Sequence, residues 1–201
     1  MTKIKICGLS RERDIDYVNQ YLPDYAGFIL NVPRSRRSLS LEKAEGLVRL
    51  LNPGIQAVGV VVDQPLDSAI ELFKSGFLDV LQLHGNEDED YIQALKAATG
   101  RPVWKAFQIQ TQSDLDAART CGADQIILDS GQGSGQCFDW GLLQGFDRPY
   151  FLAGGLGPQN VVKAIKQLHP YGIDLSSGIE TDGVKDKGKL SSVIASVRKI
   201  K

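Results

Sequence analysis

The sequence predicts an α/β protein, a closed (β/α)8 barrel that occupies residues 1–201 as one domain. Three observations predict it. Short apolar runs lead into longer amphipathic stretches eight times, an alternation that builds parallel strands joined by right-handed crossovers. Eight such units in 201 residues favour closure over a doubly wound open sheet, which alternates in the same way. The strand ends richest in glycine and serine come last, at Ala153-Gly154-Gly155 and Ser176-Ser177-Gly178, where barrels often hold phosphate.

Residues 4–7 read as the first strand, followed by an amphipathic stretch over about 11–21. Residues 25–30 form the second; Ser40 then caps a helix whose first turns carry Glu42 and Glu45, which the positive end of the helix dipole favours. The third strand, 57–62, is a continuous run rich in valine, as a strand covered on both faces requires. Pro65 fits the first turn of the next helix, where its missing N–H costs nothing. Residues 78–83 form the fourth strand, with a helix over 88–98, and 103–107 the fifth, with a helix over 113–121. Residues 125–129 form the sixth. Residues 150–153 and 173–175 are the seventh and eighth, with helices over 159–168 and 189–198. The loop 130–136, Ser-Gly-Gln-Gly-Ser-Gly-Gln, has the composition of a lid or ligand clamp.

Composition narrows the function. The net charge of -1 gives no reason to expect a nucleic-acid or membrane partner. Cys7, Cys121 and Cys137 are an odd set without C-x-x-C spacing, which argues against a disulfide framework and for a reducing, cytoplasmic setting. The first twenty residues hold no long apolar run, so no signal peptide is expected. His84 and His169 lack the spacing of metal ligands, and no metal or cofactor is expected.

The residues that can carry chemistry stand at strand ends, the face where barrel enzymes keep their sites. Cys7 ends the first strand beside Lys5; a buried cysteine is commonly a small core hydrophobe, but a cation nearby lowers a thiol's pKa and makes a thiolate base available. Asp129 ends the sixth strand, as a loop cap or as a general acid facing Cys7 across the mouth. His84 ends the fourth, as a hydrogen-bonded structural residue or a site residue. Arg34, Arg36 and Arg37 crowd the loop after the second strand, where one guanidinium can pair with a substrate carboxylate and the others form a solvated face. Gly154, Gly155, Ser176, Ser177 and Gly178 offer backbone N–H groups and hydroxyls to phosphate, the plainer alternative being tight turns.

At these residues the chain resembles the phosphoribosylanthranilate isomerase family nearly end to end. The marks are Lys5-Ile6-Cys7-Gly8-Leu9, Gly27-Phe28-Ile29-Leu30, Val58-Gly59-Val60-Val61-Val62 and Gln82-Leu83-His84-Gly85. They continue through Gly133-Ser134-Gly135, Phe138-Asp139-Trp140, Ala153-Gly154-Gly155-Leu156 and Asp174-Leu175-Ser176-Ser177-Gly178-Ile179-Glu180, and close with Gly183-Val184-Lys185-Asp186. The resemblance implies an Amadori rearrangement of a phosphosugar, N-(5-phosphoribosyl)anthranilate, without cofactor, by a monomer or homodimer. It implies Asp129 as acid on the furanose ring oxygen and Cys7 as base at C2′. It gives the anthranilate carboxylate to Arg37, with Arg36 as the alternative because this loop carries an extra residue. Asp174 and His84 then face the substrate, and phosphate falls to the Gly154-Gly155 and Ser176-Ser177-Gly178 loops. Gln136 replaces a lysine usual in the family, in a loop shorter than in many members. Such chemistry leads to two further expectations: a Cys7 thiol lowered toward neutrality and an Asp129 carboxyl raised by burial.

Overall fold

The apolar runs become eight parallel strands: β1 (Lys3–Cys7), β2 (Tyr25–Leu30), β3 (Gln56–Val61), β4 (Val80–Leu83), β5 (Val103–Gln108), β6 (Gln125–Asp129), β7 (Tyr150–Ala153) and β8 (Gly172–Leu175). Each is hydrogen-bonded to the next in chain order. β1 pairs with β8 as well as with β2, placing Lys5 opposite both Asp174 and Tyr25, and this second pairing closes the ring. The computed structural model describes residues 1–129 and 140–200. The expected glycine-rich lid at 130–136, with Gln136, and Cys137 therefore lie outside the described residues.

The helices are α1 (Glu12–Tyr21), α2 (Leu41–Val48), α3 (Leu66–Lys74), α4 (Glu89–Thr99), α5 (Gln112–Thr120), α6 (Val161–Leu168) and α7 (Lys187–Arg198), and side-chain caps start α2, α4, α5 and α7. Ser40 accepts from Lys43 N at 3.4 Å, Asp88 from Tyr91 N at 2.9 Å and Asp186 from Lys189 N at 2.9 Å. Thr111 and Asp114 form a reciprocal capping box. Three expectations need correction. Pro65 is the cap residue, with extended backbone, and the helix begins after it at Leu66. α6 starts at Val161 and not at 159, because Asn160 first ties the loop together by accepting from Gly157 N and donating to Gly155 O, each at 2.9 Å. Among the described residues the β6–β7 connection carries only the 3-10 turn Trp140–Leu143, which Gly145, at φ 79, brings to an end. Seven α-helices thus surround eight strands among the described residues.

Strand side chains alternate between two layers. Outward residues such as Ile4, Ile6, Phe28, Leu81, Leu128 and Ile173 pack under the helices. Inward residues Tyr25, Val58, Val80, Trp104, Ile127 and Phe151 fill the barrel. The Trp104 ring lies 4.8 Å from Tyr25 and 4.9 Å from Phe151, centroid to centroid, so the lower interior is an aromatic plug and not a pore. Above the plug the inward positions turn polar: Lys5, Gln82 and Asp174.

A two-residue strand, Ser38–Leu39, extends the β2 edge after the arginine loop. A small antiparallel hairpin, Glu180–Thr181 with Val184–Lys185, follows β8 and sets Glu180 opposite Lys185. Its turn residues Asp182 and Gly183 both have positive φ, 51 and 80, as a type I′ turn requires.

Candidate active site

Lys5 and Asp174 are register partners on β1 and β8 and meet inside the barrel, Nζ to Oδ2 at 2.7 Å, with side chains 0% and 9% exposed. Two buried charges this close stabilise each other only when well paired. Burial opposes the lysine's charge, but Asp174 and the neighbouring Cys7 sulfur together outweigh it, and Lys5 titrates above the ordinary lysine range. Asp174 Oδ1 is buried and has no hydrogen-bond partner among the described residues. An ionised, solvent-hidden acceptor is costly to leave unpaired, so this oxygen marks a place where a ligand donor fits.

Cys7 stands one inward position above Lys5, 7% exposed, on top of the apolar plug. Gly27, its register partner on β2, makes the room: a Cβ there would lie 2.9 Å from the sulfur. The expected lowering of the thiol's pKa is not found. Burial pushes the Cys7 thiol up, against the pull of Lys5 and Lys185. The physical reason is that Lys5 is already paired: Asp174 takes up much of its field and itself raises the thiol.

Across the mouth, His84 Nε2 lies 3.7 Å from Asp129 Oδ2, with the two side chains 30% and 23% exposed. The other ring nitrogen is 3.4 Å from Gln82 Nε2. Burial lowers the His84 pKa although Asp129 acts to raise it, so the ring is neutral near pH 7. A cavity of about 560 Å³ opens beside this pair, lined in part by Arg34, His84, Lys105, Phe107 and Gln108.

The arginine loop is separated by geometry. Arg37 is 19% exposed and grips Glu180 with two parallel bonds, Nε to Oε1 and Nη2 to Oε2, each 2.7 Å. Its stem lies against Gly8, where a Cβ would meet Arg37 Cδ at 2.5 Å. Arg36 is 59% exposed and reaches the same carboxylate from outside, at 2.7 Å. Arg34 is exposed.

The two glycine-rich loops lie against each other. A Cβ on Gly178 would be 2.0 Å from Leu156 O, and one on Gly157 would be 2.8 Å from Gly178 O. Gly154 and Gly155 have φ of 91 and 61, and Ser177–Ile179 forms a single 3-10 turn.

Sequence reasoning missed Glu180 and Lys185 as members of the mouth. The Asp182-Gly183 pair was the available signal, since it marks a hairpin that puts the two side chains across from each other. It also missed the buried pair Lys105–Glu87, at 2.8 Å, which holds the loop after β4 by a further bond from Lys105 Nζ to Gly85 O at 2.7 Å.

Titratable side chains gathered at the carboxyl ends of barrel strands, Cys7 and Asp174 on one side and His84 and Asp129 on the other, mark the class as that of the (β/α)8 barrel enzymes. The chain belongs to the N-(5'-phosphoribosyl)anthranilate (PRA) isomerase family, whose model matches residues 4–196. It is 41% identical to N-(5'-phosphoribosyl)anthranilate isomerase of Thermoanaerobacter sp. (strain X514), over 100% of both chains. The crystal structure of phosphoribosyl anthranilate isomerase from Thermotoga maritima superposes with a TM-score of 0.89 at 30% identity, covering 100% of each. A second phosphoribosyl anthranilate isomerase, solved in complex with reduced 1-(o-carboxyphenylamino)-1-deoxyribulose 5-phosphate, superposes at 0.87 with 29% identity, again over 100% of each. The chain is thus an isomerase, and its reaction belongs to tryptophan biosynthesis. Among the described residues, no helix is long and apolar enough to cross a membrane.

Proposed function

We propose that Asp129 and Cys7 carry out the Amadori rearrangement of N-(5-phosphoribosyl)anthranilate in this mouth. Asp129 gives its proton to the ribose ring oxygen as the C1′–O bond breaks, and the amine lone pair forms the C1′=N⁺ bond. Cys7, as thiolate, takes the C2′ proton, and the electrons of that bond form the C1′=C2′ double bond and neutralise the nitrogen. The resulting enolamine tautomerises, losing its hydroxyl proton and gaining one at C1′, to leave the ketone. No net oxidation occurs. Burial holds the thiol protonated in the free protein. The cationic imine, formed beside it, favours the thiolate at the step that needs it.

The other assignments follow the same reading. Asp174, through its unpartnered Oδ1, accepts from a substrate hydroxyl or amine. Neutral His84 lines the side of Asp129, Arg37 meets the anthranilate carboxylate, and Gly154, Gly155, Ser176, Ser177 and Gly178 receive the phosphate. The protein works in the cytoplasm as a monomer or homodimer. The observation that carries the reading is the buried Lys5–Asp174 pair with one carboxylate oxygen left unpartnered next to the thiol.

Anthranilate derivatives fluoresce, which gives a direct assay. Cys7→Ser and Asp129→Asn should each lower kcat by at least about 100-fold, the scale of general acid–base catalysis. Circular dichroism and melting should stay those of a folded barrel. Turnover kept within a few-fold in either folded variant would overturn the assignment of that residue.

A further inference from the structure

One carboxylate at the mouth holds three cations. Glu180 Oε1 accepts from Arg37 Nε and Lys185 Nζ, and Oε2 from Arg37 Nη2 and Arg36 Nη2, all at 2.7 Å. Glu180 is 4% exposed and Lys185 1%. Burial opposes the charge on Glu180, but the hydrogen bonds and fields of Arg37 and Lys185 override it and bring its pKa down to about 2. Glu180 is therefore ionised near neutral pH, while burial lowers the pKa of Lys185 against the pull of Glu180.

Two guanidiniums on one carboxylate already leave the cluster positive, so Glu180 fixes Arg37 without cancelling its attraction for a further carboxylate. Arg37 Nη1 makes no bond to a described residue. A guanidinium held at both its stem and its fork does not have to lose rotamer freedom when a ligand arrives, and such pre-organisation is retained as affinity. Lys185 serves the same end from below: it bonds Ser176 O at 3.2 Å as well as Glu180, tying the hairpin to the loop after β8.

We propose that Glu180 is the positioning residue for carboxylate recognition, so that preference for a carboxylated aryl amine is set by the hairpin after β8 through Arg37. The proposal rests on the reading that Arg37 meets the anthranilate carboxylate. Its test uses two ligands, reduced 1-(o-carboxyphenylamino)-1-deoxyribulose 5-phosphate and the same molecule without the aryl carboxylate. Dissociation constants for both, with KM and kcat for the substrate, are measured in the native protein, in Glu180→Gln, in Arg37→Ala and in the double variant Glu180→Met/Lys185→Met. The double variant removes Glu180 and Lys185 together, so the deeply buried lysine is not left unpaired, which keeps the test valid if the single change unfolds the protein.

Glu180→Gln and the double variant should each narrow the preference for the carboxylated ligand about tenfold and raise KM in proportion, with kcat changed much less, as expected for lost binding that is uniform between ground and transition states. Glu180→Asp, which keeps the charge, should recover part of the preference. If the Glu180 variants keep the native preference while Arg37→Ala loses it, the glutamate is structural only and the proposal falls. If Arg37→Ala keeps the preference, the assignment of Arg37 itself is wrong, and the two failures are told apart.

Discussion

Lys5 is shared between a carboxylate and a thiol, and the division of its field decides how Cys7 titrates. The groups that bear on the sulfur come from four places: Lys5 on β1, Asp174 on β8, Lys185 on the hairpin and Arg37 on the loop after β2. Burial outweighs the cations and the thiol is raised. A base acts only when unprotonated, so kcat/KM should climb with pH and its acid limb should report the free protein's thiol. Since the thiol is raised, that limb should lie above the ordinary thiol value of about 8.5. Lys5→Met removes the principal cation and leaves Asp174 unpaired, and both effects should move the limb higher. A pH profile that levels off near neutrality, or one that Lys5→Met leaves in place, would show that another group sets the limb. The sequence put Lys5 beside Cys7 but not Asp174, which lies 169 residues further on. That distance is why the direction of the shift could not be read from the chain.

Among the elements, the two loops after β7 and β8 act as one because their backbones touch. Gly178→Ala would drive a Cβ to 2.0 Å from Leu156 O, and a carbonyl cannot swing away as a side-chain tip can. The loops should separate, with a stability loss of about 1–3 kcal/mol and a rise in KM that exceeds any fall in kcat. Gly46→Ala in α2 is the matched control: its Cβ would meet nothing within 4 Å, so melting should hold or rise and kinetics stay native. Equal behaviour of the two variants would remove the loop contact from the account of substrate binding. The same contrast explains what was legible in the chain. Strands were readable because apolar runs buried on both faces are distinctive, and helix starts were readable where Ser40 or Asp88 caps locally. Cys7 and Asp129 were findable as candidates because they end apolar runs, and Asp174 only through the resemblance to the family. Glu180 was not, since its importance comes from Arg36 and Arg37, which lie 144 and 143 residues away, and only the turn at Asp182-Gly183 hinted at it.

At the scale of the whole molecule, the barrel's two ends do different work. The carboxyl ends of the strands hold Cys7, Asp129 and Asp174, to which the proposed chemistry is assigned. The opposite end is fastened by a repeated clip. Asp24, the residue before β2, donates its N–H to Ile4 O and accepts from Ile4 N, both at 2.9 Å. Asp79 before β4 brackets Ala57 in the same way, at 2.9 and 2.7 Å, and Asp124 before β6 brackets Val103, at 2.8 Å for both bonds. Each clip locks the start of an odd-numbered strand to its even-numbered neighbour, and satisfies an N–H that the strand ladder leaves free. Before β8 stands Tyr171, which has no carboxylate to offer; its backbone carbonyl accepts from Lys3 N of β1 at 3.0 Å, across the seam that closes the ring. Asp79→Ala should therefore cost about 1–3 kcal/mol by leaving the Ala57 N–H without its acceptor. For a chain of this size that lowers the melting temperature by several degrees, about 2–4 °C for each kcal/mol. KM and kcat should stay native, because the clip is at the far end from the chemistry. Melting and steady-state kinetics on the same preparation decide it: a native melting temperature would deny the clip its role in holding the strands, and altered kinetics in a folded variant would show that the two ends are coupled through the aromatic plug between them.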